Sequence, residues 1–276
     1  MAVRIGFIKV GNIGTSPLLE LLLDERADRE DIDVRVVSSG AKLTPEQAEE
    51  VARKALEFSP SLVIVASPSA GLPGPSKVRA IVKEAGVPGI AISDAPAKKA
   101  IKKIEEDGFG YIIVEADAMI GARREFLDPA EMALFNADVI KVLAATGAFN
   151  VVCEELDKVI EALKKGEKPE LPKVVVDAET AAKAAGFSNP YAMAKAMAAY
   201  EMAKKVADIT SQACFVVKEP ERYVPMCAAA HELMKVAAAM ADEAREIEKG
   251  ADSLLRKPHA KDGRLLAKKK LMEKPA

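Results

Sequence analysis

Residues Arg4 to Glu20 read RIGFIKVGNIGTSPLLE, and the fold turns on how this stretch is read. The apolar run Ile5–Val10 predicts a short strand. Gly11 and Gly14 predict a sharp turn, and Thr15-Ser16-Pro17 predicts the start of a helix over Leu18 to about Leu23. Strand, glycine turn and helix open a dinucleotide-binding unit. The G-x-G-x-x-G register, however, places Lys9 where the first glycine belongs. Two readings stay open. The turn approaches a ligand, with free N–H groups at the helix start favouring an anionic or strongly polar group. Otherwise the two glycines only make a tight connection.

The same rhythm continues outward. Val34–Val37, Leu62–Ala66, Gly89–Ile92 and Tyr111–Val114 predict further strands, with helices over Thr44–Phe58 and Val78–Ala85 between them. Ser76, at the end of GLPGPSK, is the expected N-cap of the second of these. Short continuous apolar strands alternating with helices predict an α/β fold: a parallel, doubly wound, Rossmann-like sheet covered on both faces. Ligands of such sheets bind beyond the carboxyl ends of the strands. Those ends are Lys9–Thr15, Ser67–Ser76, Ser93–Pro96 and Glu115–Arg124.

Near Phe126 the pattern changes. Pro129 opens a helical stretch, residues 151–165 continue as helix, and Val174–Val176 predicts a small strand. Two long alanine-rich helices begin at NPYAMAK and PERYVPM, with ACFVV between them as another expected strand. Asp262-Gly263 is a hairpin signal in the tail. The expected organisation is an α/β ligand-binding domain, 1–145, and a helical-bundle domain with a small C-terminal sheet, 146–276.

Composition narrows the function. The chain has 276 residues and a net charge of -2, from 40 basic and 42 acidic side chains, which points to neither nucleic acid nor an anionic membrane. No apolar run approaches a membrane span. Cys153, Cys214 and Cys227 are widely spaced, as expected of free buried thiols in a cytoplasmic protein rather than a metal site. Asn and Gln together number six, which suits a hot environment. His231 reads as a packing residue on an alanine-rich helix and His259 as part of a polar tail. No histidine base, nucleophile or metal motif stands out. Hydride transfer, in which positioning supplies much of the rate, fits that set of residues.

An NAD site calls for an acid at the end of the second strand. Ser38-Ser39-Gly40 stands there, followed by Lys42. An NADP-dependent dehydrogenase holding the 2′-phosphate on Ser38, Ser39 and Lys42 is therefore one alternative, and a non-enzymatic scaffold built on the alanine-rich helices is another. DAMIGARREF gathers both signs of charge beyond a buried strand, which favours a polar ligand site.

Taken together, the first-strand stretch, PGPSK, SDAP, DAMIGARREFLDPAEMALFNADVIKVLAATG, NPYAMAKAMAAYE and ERYVPMCAAAHELM resemble the coenzyme F420-dependent methylenetetrahydromethanopterin dehydrogenases of methanogenic and related archaea. The likeness runs the length of the chain. It implies reversible hydride transfer from methylenetetrahydromethanopterin to oxidised F420, a deazaflavin, in archaeal one-carbon metabolism such as methanogenesis from CO2. It also implies F420 as a dissociable co-substrate, no metal or bound prosthetic group, and a homohexamer arranged as a trimer of dimers. With strand-end position, it places the deazaflavin on Lys9, Gly11, Asn12, Gly14, Thr15, Ser67 and Ser93. The pterin is expected on Arg123, Arg124 and Glu125. Asp94, Glu115 and Asp117 are the candidates to stabilise the methenyl cation as it forms.

Overall fold

The computed structural model describes every residue except Met1, Asp24 and Arg26. The strands are β1 (Val3–Lys9), β2 (Ile32–Ser38), β3 (Leu62–Ala66), β4 (Gly89–Asp94), β5 (Gly110–Val114) and β6 (Lys173–Val176). They form one sheet in the order β2-β1-β3-β4-β5-β6, and every neighbouring pair is parallel. Alternation along the strands explains why they read as unbroken apolar runs. Ile5, Phe7, Leu62, Ile64, Ile90, Ile92 and Ile112 point into one core, while Ile8, Val63, Val65, Ala91 and Ile113 point into the other. The order reverses between β1 and β3, so the crevice of the sheet opens between the ends of these two strands.

One face is covered by α2 (Pro45–Leu56), α3 (Pro73–Glu84) and α4 (Ile101–Glu106), the last preceded by a 3-10 turn over Ala95–Ala100. The other is covered by α1 (Thr15–Leu23), α5 (Pro129–Ala145) and α6 (Ala148–Lys164). The chain then passes through α7 (Ala178–Ala185) to the long pair α8 (Pro190–Ser211) and α9 (Pro220–Gly250). Ala192, Ala196, Ala199 and Ala203 of α8 and Ala230, Ala237, Ala241 and Ala244 of α9 are all fully buried. Small side chains at helical spacing let the two backbones approach closely. Glu248, near the end of α9, accepts N–H bonds from Ser188 and Asn189 at 2.8 and 2.7 Å and so caps the start of α8.

Three expectations are corrected. Ser76 is not an N-cap: α3 begins earlier, at Pro73, with Leu72 at the cap position, and Ser76 lies inside the helix. Proline preset for a first helical turn moves the start forward. The strand at 174–176, set by sequence among the helices, is the edge strand β6 of the main sheet, with Val176 fully buried. Residues 212–216 form a π-helical turn continuing α8 rather than a strand. His259, expected only as part of a polar tail, is buried there, 1 % exposed.

The tail turns at Gly263, φ +84°, and forms the antiparallel bridges His259↔Leu265 and Arg256↔Lys268, the small C-terminal β segment. It is fastened by His259, whose backbone N–H and Nδ1 meet Glu25 at 2.9 and 2.6 Å and whose Nε2 meets Asp157 at 3.0 Å. Burial alone would lower the imidazole's pKa. The two carboxylates outweigh it and push the group up to about 9. Among the described residues no single helix is long and apolar enough to cross a membrane.

Candidate active site

The first glycine turn is built by packing. Gly11 has φ +78°, a left-handed conformation that favours glycine, and a Cβ there would lie 2.6 Å from Leu43 Cδ2 and 3.2 Å from Pro68 Cδ. A Cβ on Gly14 would lie 2.5 Å from Val139 Cγ1 of α5. Both glycines are therefore required by the protein's own side chains, whatever the turn binds.

The helix start that follows is already occupied. Gly14 N–H donates to Asp117 Oδ1 at 2.7 Å, Thr15 N–H donates to Asp117 Oδ2 at 2.8 Å, and the Thr15 hydroxyl donates to the same oxygen. Ser16 N–H donates to the Ile13 carbonyl at 3.1 Å, and Pro17 has no N–H. The expected anion site at the head of α1 is filled by a carboxylate from the loop after β5. Asp117 is 1 % exposed, and burial raises its pKa against the pull of these three donors.

What remains open beside the turn is a cleft of about 260 Å³ between the end of β1 and α5. Lys9, Asn12, Ser16, Asn136 and Ile140 line it. Lys9 Nζ reaches Glu20 at 3.2 Å, so its charge is partly matched. The Ser16 hydroxyl is buried and has no protein partner. This lining offers amide, hydroxyl and one cation, a set suited to the polar edge of a heterocycle. A larger hollow, about 880 Å³, is lined by Phe109, Pro169, Pro172 and several charged residues. It lies where the chain enters β5 and β6, the opposite end of the sheet from its crevice.

Across the crevice, the loop after β3 is tied to the end of β4. The Ser93 hydroxyl donates to the Ser67 carbonyl at 2.7 Å and accepts from Ala70 N–H at 3.0 Å. Asp94 Oδ1 accepts from Ser69 N–H at 2.7 Å. Ser69 itself has φ +41°, uncommon for a residue with a side chain. The Ser67 hydroxyl, 1 % exposed, has no protein partner. Asp94 is 3 % exposed, and burial first, with the charge of Asp117 added, raises its pKa to about 7.

The other expected site residues are divided. Glu115 sits between Lys98 and Lys204, the latter at 3.0 Å. Burial acts to raise its pKa, but the two lysines prevail and lower it. Tyr200 of α8 reinforces the same corner, donating to the Val176 carbonyl and accepting from Ala116 N–H at 3.3 Å. Arg123 turns away from the crevice. Its Nε and Nη2 donate to the Ala213 carbonyl at 3.0 and 2.8 Å, Nη2 reaches the Val217 carbonyl at 3.2 Å, and its guanidinium lies 4.4 Å from the centre of the Tyr223 ring. It caps the π-helical turn and is committed to the fold. Arg124 and Glu125 are exposed.

The 2′-phosphate reading keeps only part of its set: Ser38 and Lys42 are exposed, while Ser39 is turned to its own loop. The Ser38 hydroxyl accepts from Gly40 N–H at 3.0 Å, and the Ser39 hydroxyl donates to the Lys42 carbonyl at 2.7 Å. The Ser39 proton is spent within the turn, whereas the Ser38 hydroxyl keeps its proton. Sequence reasoning missed the paired role of Asp94 with Ser69 and the vacant hydroxyl of Ser16. Both depend on contacts between distant loops. His231, read as a packing residue, stacks on Phe135 and bonds Glu131 through Nδ1 at 2.6 Å, while its Nε2 has no protein partner.

Known proteins bear on this geometry. The profile of the family described as methylene-5,6,7,8-tetrahydromethanopterin dehydrogenase matches residues 3–276. The F420-dependent methylenetetrahydromethanopterin dehydrogenase of Archaeoglobus fulgidus is 62% identical over 275 residues, covering 100% of both chains. Its counterpart in Methanothermobacter marburgensis is 57% identical over the same length and coverage. A solved F420-dependent methylenetetrahydromethanopterin dehydrogenase, in complex with methylenetetrahydromethanopterin and coenzyme F420, superimposes with a TM-score of 0.97 at 51% identity, covering 100% of each chain. With identity of this level over its full length, the chain belongs to the methylene-5,6,7,8-tetrahydromethanopterin dehydrogenase family.

Proposed function

We propose that this protein catalyses reversible hydride transfer from methylenetetrahydromethanopterin to oxidised coenzyme F420, giving methenyltetrahydromethanopterin and reduced F420. The observation that carries the reading is full-length identity of 62% to an enzyme of that name, on a fold matching a complex with both compounds at a TM-score of 0.97. The crevice supports it. It offers hydrogen-bonding groups for flat heterocycles.

F420 binds as a dissociable co-substrate, beside Lys9, Asn12 and Ser16 at the end of β1 and Ser67 at the end of β3. Gly11, Gly14, Thr15 and Ser93 shape these loops from within. The pterin approaches from the side of Arg124 and Glu125, with Arg123 holding that segment in place. Binding fixes donor and acceptor carbons face to face, which removes most of the entropic part of the barrier. A carboxylate in the crevice stabilises the methenyl cation as its charge grows.

Residues 1–145 supply most of the ligand-binding domain, with α6 and β6 from beyond them completing its sheet and its core. The protein works in the cytoplasm as a homohexamer, a trimer of dimers. Its three free cysteines suit a reducing compartment, and Leu134, Phe215 and Val216, all at least 60% exposed, supply apolar surface for subunit contacts. Side-by-side anoxic absorbance assays with F420 and with NADP test the reading. Loss of the deazaflavin band on adding methylenetetrahydromethanopterin, with no NADP reduction, is the expected result. Reduction of NADP alone would overturn it.

A further inference from the structure

Asn136 sits in the middle of α5, in the run ALFNADVI, where asparagine is a weak helix former and alanine would serve the fold better. Its amide is held in one orientation. Nδ2 donates to the Met132 carbonyl at 2.8 Å, and since that carbonyl can only accept, Oδ1 is the amide's unspent acceptor. Asn136 lines the cleft of about 260 Å³ at the end of β1, and so does Ile140, one turn further along the same face of α5. Met132, one turn back, is 46 % exposed. An amide oxygen set between two apolar side chains suits a flat ring with a polar edge.

The opposite wall comes from the glycine turn and the head of α1. Ser16 is 1 % exposed and lines the same cleft, and its buried hydroxyl has no partner among the described residues. A buried hydroxyl left without a partner costs stability, which marks it as kept for something other than packing. The N–H groups around it are spent, those of Gly14 and Thr15 on Asp117 and that of Ser16 on the Ile13 carbonyl. Lys9, in the same wall, can only donate, and Glu20 takes one of its N–H groups at 3.2 Å. The cleft therefore sets one acceptor, from α5, across from donors of the β1 turn.

The geometry points to Asn136 and Ser16 as the pair that reads the imide edge of the deazaflavin: Asn136 Oδ1 accepts from the imide N–H, and the Ser16 hydroxyl donates to a carbonyl beside it. This rests on the function proposed above and names the residues that select the co-substrate. The imide edge runs carbonyl, N–H, carbonyl, and an acceptor among donors is its complement. A pterin edge runs carbonyl, N–H, amino, and its amino group is opposed by a lysine that can only donate. A nicotinamide ring carries no N–H between two carbonyls. The cleft thus favours the deazaflavin over both.

Fluorescence titration of the enzyme with F420, without pterin, tests the pair. Asn136→Ala should raise Kd about tenfold. F420 methylated at the imide nitrogen should bind wild type at least about tenfold more weakly than F420 itself. N136A should bind the two compounds within about twofold of each other, because the penalty disappears with its acceptor. Ser16→Ala gives two readouts of opposite sense. Kd for F420 should rise about tenfold, whereas Tm of the ligand-free protein should hold or rise by a few degrees, an orphaned hydroxyl having been removed.

An unchanged Kd in N136A, or a methylation penalty that survives in it, would overturn the assignment. So would an effect of N136A confined to the KM for the pterin, or a lower Tm in S16A with F420 binding unchanged. If N136A does not fold, wild type decides the matter: equal affinity for F420 and its methylated form overturns the assignment. Wild-type enzyme that binds no F420 would instead refute the function itself.

Discussion

Asp117, in the loop after β5, holds Thr15, at the start of α1, by both its backbone N–H and its hydroxyl, across 102 residues of sequence. The carboxylate stands where a ligand's phosphate would stand in a dinucleotide-binding protein. The first loop of the sheet and the segment leading to α5 are thereby locked together, and that loop and α5 border the cleft.

Asp117→Asn tests that lock. An amide presents a donor to groups that need an acceptor, so stability should fall by about 1–3 kcal/mol. Because the loop positions rather than reacts, KM for F420 should rise about tenfold with kcat less affected. A kcat loss with unchanged KM would assign Asp117 to the chemistry instead. Denaturant melts and steady-state kinetics separate the two.

Glu115 is expected to behave as a structural ion pair. Glu115→Gln should leave turnover within about fivefold while costing about 1–3 kcal/mol at neutral pH. The sign of the pH effect follows from its lowered pKa. The stabilisation is present above the ordinary glutamate range and is lost as pH falls through the folded-state value. The difference between variant and wild type should therefore vanish in acid. A large kcat loss in E115Q would return Glu115 to the active site.

His259 gives the opposite dependence. Its folded-state pKa, about 9, lies above the ordinary value of 6.5. Its contribution is complete below about 6.5 and is lost as pH rises through about 9. Hydrogen exchange of residues 256–268 should quicken between pH 8 and about 10, after correction for intrinsic rates. His259→Ala should cost about 3 kcal/mol at pH 7 by stranding Glu25 and Asp157. Exchange in wild type that is independent of pH after that correction would contradict the latch.

Gly11→Ala is expected to destabilise the fold directly. The added Cβ meets Leu43, and the positive φ itself costs about 1–2 kcal/mol. Tm should drop by a few degrees even without ligand. A variant of unchanged Tm with weakened F420 binding would show that Gly11 is kept for the ligand rather than for packing.

The alternating strands were legible because burial on both faces leaves continuous apolar runs such as Leu62–Ala66. Gly11 and Gly14 marked the turn correctly for a reason sequence does not carry: Leu43 and Val139 come from elsewhere in the chain. Asp117 as the occupant of the α1 start was invisible for the same reason. ACFVV has strand-like residues, yet Arg123 collects the carbonyls of Ala213 and Val217 and stabilises a helical turn, so tertiary contacts override local propensity. The arginine pair looked like ligand-binding charge, and only the folded chain shows that Arg123 is spent inside. β6 has the residues of a strand, but its place beside β5 depends on a crossover through α5 and α6 that no local pattern encodes.

Hydride passing directly between the two bound compounds is tested most directly by a single anoxic turnover with substrate carrying deuterium on the methylene carbon. The reduced F420 should hold one deuterium at its reacting ring carbon, with none exchanged into solvent. Reduced F420 without deuterium, or F420 left oxidised while substrate is consumed, would contradict it.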